Sequence, residues 1–421
     1  MDKRIILQPP SLREKMISIT PYLDGLKLGD YQDKLVHLYQ TDSHLNQSVP
    51  ASIRESVEWL LRQVNCYYSN RIEGNPTHPK ELLKIQAPQT QPINNLPATR
   101  SKALQELLAH LEVQLRLKKR QTSADEITTQ DFIKELHRSF YQGLPEDQLV
   151  VRNQDGEIAL DEQGSPLLVV PGEYRKHLVI VGGHEPPPAR ELTSYMDWLQ
   201  RSFTLSKIHG TNRVIAAASL HHRLAWIHPF LDGNGRVIRL LTDCYMRHSG
   251  FGGYGLWSIT RGFARDTKAY YNALAQADKV RQGMTDGRGT LSDGGLAYFI
   301  KYFIDTALDQ ISYFSELLEP RKLNLRIDIY FEMRAKGALP AAPDEELPLL
   351  KLAARDIYKY LLDRGPQTKS DICAYLGKSE QSLRATFKQM ESERLINISK
   401  DKYYKASLST HVIEYLFPQL W

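Results

Sequence analysis

The segment His228-Pro-Phe-Leu-Asp-Gly-Asn-Gly-Arg-Val-Ile-Arg239 gathers an imidazole, a carboxylate, two glycines and two guanidinium groups in one short stretch. Gly233, Asn234, Gly235 and Arg236 stand where a helix begins, and there the unpaired backbone N–H groups and the positive end of the helix dipole attract a phosphate. The two glycines let the backbone come close to an anion. The pattern is not GxGxxG, because Arg236-Val-Ile-Arg239 replaces the third glycine, and it is not a P-loop, because no Gly-Lys-Ser/Thr follows. Arg236 and Arg239 are three apart and share a helix face above that cradle. His228 can serve as a base and Asp232 as a Mg²⁺ ligand, both within reach of one triphosphate. Taken singly, a glycine-rich helix start or a histidine before proline has a plain structural explanation; together they do not.

A second pattern lies far upstream in Tyr68-Ser69-Asn-Arg-Ile-Glu73-Gly74-Asn75. Ser69 and Glu73 are i and i+4, so they share one face, and Gly74 allows a left-handed helix end. The bland alternative is a surface Ser–Glu pair before a helix cap. His221 and His222 are adjacent and point to different faces, and no cysteine or carboxylate completes a zinc set with His228. The basic run Lys118-Lys119-Arg120 reads as a solvated helix end.

These residues need a helical frame. Apolar spacing predicts helices over Ser52–Tyr68, Arg100–Leu117, Thr129–Phe140, Arg190–Phe203, Thr211–Trp226, Val237–His248, Ala264–Arg281 and Leu296–Leu318. The stretch from Ala87 to Pro97 reads as a loop. Short β-prone runs, Gln148–Arg152, Leu167–Val170 and Leu178–Val181, interrupt the helices. After a charged, proline-bearing linker, Ala338–Pro348, residues Leu349–Ser407 read as three helices and a hairpin, the order of a winged helix-turn-helix. Gln381, Ser382, Arg384, Thr386 and Lys388 would form its exposed recognition face and Lys400 and Lys402 its wing tip, with Glu380, Glu391 and Glu393 diluting the charge. The expected fold class is therefore mainly α: a helical bundle with a small β-hairpin and a C-terminal winged helix-turn-helix. Its divisions are 1–118, 119–318, a helical linker at 319–348, and 349–421, and the core before the linker is expected to fold without the last division.

With 421 residues, 42% hydrophobic and 24% charged, the chain can bury a large core. It has no apolar run of membrane-spanning length and no signal-peptide pattern at its start, so no membrane partner is expected and the cytoplasm is the expected compartment. Cys66, Cys244 and Cys373 are too scattered for a disulfide framework. A net charge of +5 confines any DNA contact to a local patch.

The His228–Arg239 segment resembles the signature of the Fic family: histidine, any residue, phenylalanine, any residue, an acidic residue, Gly-Asn-Gly-Arg, two residues, arginine. Every specified position is filled. The likeness extends over about Arg54–Phe303. Pro171-Gly-Glu-Tyr-Arg175, Leu178-Val-Ile-Val-Gly-Gly-His184 and Pro186-Pro-Pro188 look like the family's β-hairpin flap, which clamps a target segment by strand addition. Leu220-His-His222, Trp226-Ile227, Gly287-Arg-Gly289 and Leu291-Ser292 match scaffold positions.

The resemblance implies transfer of AMP from ATP to a Tyr, Thr or Ser hydroxyl of a protein. His228 would be the general base and Phe230 the buried anchor of the loop. Asp232 would ligate Mg²⁺, Gly233, Asn234 and Gly235 would hold phosphate oxygens, and Arg236 and Arg239 would bind the distal phosphates. Val181, Gly182, Gly183 and His184 of the flap, with Tyr270 and Tyr271, would line the nucleoside pocket, and Asp278 stands where some relatives have Asn. Ser69, Glu73 and Gly74 match the family's inhibitory motif, which sets Glu73 against Arg239 in the place of the γ-phosphate. Removal of AMP by the same site and a nucleotide-sensing DNA-binding regulator are the alternatives. Self-modification, a homodimer, and either DNA or a protein on the winged helix are partners this leaves open.

Overall fold

The structure is a computed structural model and describes residues 11–21, 29–83, 101–153, 156–339 and 347–421. The loop expected at 87–97 and most of the linker expected at 338–348 lie outside the described residues. The chain is mainly helical. Its helices in order are α1 (Leu12–Ile17), α2 (Asp30–Ser48), α3 (Ala51–Ile72), α4 (Pro79–Leu83), α5 (Lys102–Lys119), α6 (Gln130–Tyr141), α7 (Leu192–Phe203), α8 (Asn212–Ile227) and α9 (Asn234–His248). There follow α10 (Ile259–Arg265), α11 (Thr267–Ala277), α12 (Asp293–Leu317), α13 (Pro320–Lys336), α14 (Ala353–Arg364), α15 (Lys369–Leu376), α16 (Glu380–Ser392) and α17 (Thr410–Leu416). Among the described residues no helix is long and apolar enough to cross a membrane.

α8 is the axis of the bundle. It is buried on all sides from Val214 to Leu224, the signature of a core helix, and α7, α9 and α12 pack around it. α3 buries Ile53, Val57, Leu60, Leu61, Val64, Tyr68 and Ile72 and stops where Gly74 takes a φ of 81°. The helix expected over Ala264–Arg281 is two helices. Asp266 leaves helical geometry and its side chain caps α11, accepting from the Ala269 N–H at 2.9 Å.

The C-terminal part has the order α14, β1 (Gln367–Thr368), α15, α16, β2 (Ile396–Ile398), β3 (Tyr403–Ala406). Its antiparallel sheet runs β1-β3-β2, with Thr368 opposite Tyr403 and Asn397 opposite Lys405. Of the expected recognition face, Gln381, Ser382, Arg384 and Lys388 are exposed, but Thr386 is buried. It belongs to the apolar stripe Leu383, Thr386, Phe387, Met390 that seats the helix.

This part is joined tightly to the rest. Ser52 donates to the Leu362 carbonyl, Lys405 pairs with Glu55, and buried Arg334 makes two bonds to Glu393, at 2.8 and 2.9 Å. After α17 the chain returns to α3, where Tyr68 Oη donates to the Leu420 carbonyl at 3.1 Å and Trp421 meets the Tyr67 ring edge-on. Arg261 donates to the carbonyls of Gln419 and Leu420. Leu416, Phe417 and Leu420 thus belong to the same hydrophobic core as the helical bundle.

Candidate active site

α8 ends because His228 adopts left-handed geometry, φ 49° and ψ 61°, while its N–H still bonds to the Leu224 carbonyl at 3.0 Å. Such a conformation is uncommon outside glycine and asparagine, and it turns the chain sharply here. A carbonyl can only accept, so the His228 Nδ1 carries the proton it donates to Ala225 O at 3.4 Å, which leaves Nε2 with a free lone pair. Burial pushes the imidazole pKa down to about 4, so the ring is neutral at neutral pH.

The turn that follows is stapled by Asn234, whose Oδ1 accepts from the Phe230 N–H at 3.0 Å and whose Nδ2 donates to the Phe230 carbonyl at 2.8 Å. The Asn234 side chain therefore shapes the loop, leaving anion contact to the backbone. Val237 is the first residue whose N–H closes a helical turn, on Gly233 O at 3.0 Å. The amides of Asn234, Gly235 and Arg236 have no partner within α9, as at any helix start. Gly233 has a φ of 75°, and a Cβ there would meet the Tyr141 ring at 2.6 Å. Asp232 is exposed, and its Oδ1 accepts from the Gly233 N–H at 2.6 Å.

Arg236 and Arg239 both lie buried over this helix start. The Arg239 Nε donates to Ser69 Oγ and its Nη2 to Ser69 O, each at 2.9 Å, and Nη2 also reaches Glu73 Oε1 at 2.5 Å. The expected Ser69–Glu73 face is thus the face that meets Arg239. A Cβ built on Gly235 would collide with the Glu73 carboxylate, so the glycine also makes room for it.

The flap is smaller than expected. Val181 and His184 exchange both backbone hydrogen bonds, at 2.9 and 3.0 Å, around Gly182-Gly183, and among the described residues no further pair extends this turn into strands. Pro186, Pro187 and Pro188 have no N–H to donate and cannot continue a ladder. Arg175 ties the flap to the turn after His228: its N–H donates to Pro229 O at 2.9 Å, its Nε to His228 O at 2.8 Å and its Nη2 to Pro187 O at 2.5 Å. His184 Nε2 donates to Trp226 O at 2.8 Å.

The aromatic pair expected at the nucleoside is split. Tyr270 is buried and its hydroxyl lies 2.8 Å from His221 Nε2, an internal contact. Tyr271 is 48% exposed, with its hydroxyl donating to Ile72 O at 3.3 Å at the end of α3. Asp278 bonds to His222 Nε2 at 3.0 Å. Among the described residues no group of three or more His, Cys, Asp or Glu is placed to hold a metal ion.

Sequence reasoning missed His137, Tyr141 and Glu106, and did not assign Arg175 its linking part. The Gly172 N–H donates to His137 Nδ1 at 2.8 Å, so Nε2 bears the proton and donates to Asp232 O at 3.2 Å. The His137 ring stacks on Phe230 at 4.0 Å, and burial pushes its pKa down to about 4. Nothing in the spacing of α6 marks this histidine.

Residues 127–246 match the Fic/DOC family. A stretch of 84 residues is 42% identical to "Protein adenylyltransferase Fic" of Drosophila willistoni, covering 19% of this chain and 16% of that protein. Over 80 residues the identity to the protein of the same name from Drosophila erecta is 40%, again covering 19% of this chain and 16% of that protein. The match therefore spans about 16% of the length of these curated relatives. Among solved structures, a Fic family protein from Desulfovibrio desulfuricans G20 aligns over 92% of this chain and 98% of its own at 15% identity and a TM-score of 0.48. Fic-1 (residues 134–508) from C. elegans aligns over 67% and 71% at 19% identity and a TM-score of 0.47. The His228–Arg239 turn lies inside the stretch 127–246 that matches the Fic/DOC family.

Proposed function

We propose that this chain is a protein adenylyltransferase that moves AMP from ATP to a Tyr, Thr or Ser hydroxyl, its own included, and that Glu73 holds it back in cis. The observation that carries this is the gathering of a neutral His228, an exposed Asp232 and both arginines at the unpaired amides of α9. In the reaction the hydroxyl oxygen attacks the α-phosphorus, the bond from that phosphorus to the bridging oxygen breaks, and pyrophosphate leaves. The hydroxyl proton passes to His228 Nε2, whose lone pair is held ready by the Nδ1 contact to Ala225. The α9 amides and the two arginines take up the phosphate charge. One carboxylate together with phosphate oxygens is the donor set that suits Mg²⁺, so Asp232 would hold the ion, which shields the triphosphate when bound.

The protein substrate would lie along the flap, where Leu178 and Ile180 are 68% and 77% exposed just before the Val181–His184 turn and could take up a strand-adding segment. The C-terminal part, with Arg384, Lys388, Lys400 and Lys402 exposed on α16 and the β2–β3 turn, would hold DNA. ATP labelled at the α- or the γ-phosphate tests the activity. Covalent label on protein from the α position alone is expected. Label from the γ position would mean phosphoryl transfer, and release of AMP from a pre-labelled protein without incorporation would favour the hydrolytic alternative.

A further inference from the structure

The second phosphate-binding arginine is also occupied. Arg236 Nη1 lies 3.4 Å from Glu106 Oε2, a carboxylate brought by α5 from outside the 127–246 domain. Its guanidinium rests over the Phe140 ring at 4.6 Å, which fixes its plane. Its Nε is buried and has no hydrogen-bond partner among the described residues, so the group is one acceptor short at the very place where the α9 amides await an anion. Glu106 is tied in turn to the inhibitory segment: Asn75, two residues after Glu73, donates from Nδ2 to Glu106 Oε2 at 3.2 Å and to Ala103 O at 2.8 Å.

We infer that Glu106 is a positioning residue that holds Arg236 off the triphosphate, and that Asn75 couples its release to that of Glu73. The inference rests on the adenylyltransferase reading for the identity of the ligand. The physical case is charge competition. A phosphate oxygen that takes Arg236 must displace Glu106 or sit beside a like charge, as it must with Glu73 at Arg239. Two arginines facing two carboxylates leave the cradle nearly neutral, so removing Glu73 alone restores only part of its positive field. Glu106 has the reach and the exposure to swing away: its side chain is 30% exposed, while that of Arg236 is 9% exposed and stays in place.

The test compares full-length Glu73→Gly with Glu73→Gly/Glu106→Gln. Affinity for Mg²⁺ with a non-hydrolysable ATP analogue is measured by calorimetry, and kcat and KM are measured for AMP incorporation. Removing the second carboxylate is expected to tighten the analogue and lower KM for ATP by about threefold to tenfold with kcat unchanged, while leaving adenosine affinity where it was. Glu106→Asp, which keeps the charge but shortens the reach, is expected to fall between and guards against a folding defect. An analogue affinity that is unchanged or weaker, or a gain shared by adenosine, overturns the assignment. A tighter analogue in a protein that incorporates no AMP would leave Glu106 in its place and overturn the transferase reading instead.

Discussion

Replacing Glu73 with Gly or Ala is expected to raise AMP transfer by about five- to thirtyfold at limiting ATP, and the size follows from the contact it breaks. Arg239 is buried, with a side chain 2% exposed, and Glu73 is 30% exposed, with 2.5 Å between Nη2 and Oε1. Charge centres about 4 Å apart at an effective dielectric near 20 attract by about 4 kcal/mol. Water at the exposed side of Glu73 and the desolvation of Arg239 reduce this to about 1–2 kcal/mol net. A γ-phosphate that must displace the carboxylate forfeits that amount, so its removal tightens productive ATP binding by the same free energy. Arg239 stays oriented, because Ser69 Oγ and Ser69 O keep their bonds to it. Glycine costs about 1 kcal/mol more than alanine within a helix. The Ala variant therefore separates loss of the carboxylate from loosening of the end of α3. The assay is the initial rate of incorporation from α-labelled ATP at several ATP concentrations, with folding checked by circular dichroism. If both variants run at the wild-type rate with unchanged KM for ATP, the competition argument fails.

Stability should fall with pH between 6.5 and 5, above the range of ordinary carboxylates. Burial lowers His137, His228 and His411 to about 4 and His110 to about 3, so below 6.5 the unfolded chain binds protons that the native state refuses. Each histidine removes about 1 kcal/mol per pH unit in that window and nothing above it. Asp42 and Asp243, raised by burial, act in the opposite sense but are fewer. A urea midpoint that does not move from pH 7 to pH 5 would contradict this. Deleting Pro418–Trp421 should cost about 2–4 kcal/mol, since Leu420 is buried and Tyr68 Oη and Arg261 lose carbonyl partners. An unchanged melting temperature would show that the tail is idle. If the C-terminal part binds DNA, Arg384→Ala with Lys388→Ala should weaken it and reduce the slope of log affinity against log salt by about 2, and an unaltered slope points to a protein partner.

The candidate site was readable because the groups proposed to meet the phosphates lie in one continuous turn, and Glu73 was readable because a helix brings i and i+4 to one face. The residues that hold that turn were not. Arg175 and His137 meet it from distant points in the chain, through backbone carbonyls that any residue supplies, so no side-chain pattern records the contact. Glu106 is one of two glutamates on an amphipathic helix, and no spacing sets it apart from Glu112. Other errors had a signal that could have been used. Thr386 sits at i+3 from Leu383 and four before Met390, inside the stripe that must be buried. Asp266 is a capping residue inside the span Ala264–Arg281 that apolar spacing alone reads as one helix. The closing of the core by Leu420 had none, because a short tail buries itself only against a surface that the fold creates.

The central claim is that His228 takes the proton from the attacking hydroxyl while other groups hold the triphosphate. The most direct measurement is single-turnover AMP incorporation, paired with affinity for the ATP analogue, in Glu73→Gly and Glu73→Gly/His228→Ala. Loss of incorporation by about 10²-fold or more with analogue affinity unchanged is the predicted result. Incorporation that survives the loss of the imidazole, in a folded protein that still binds the analogue, would contradict it.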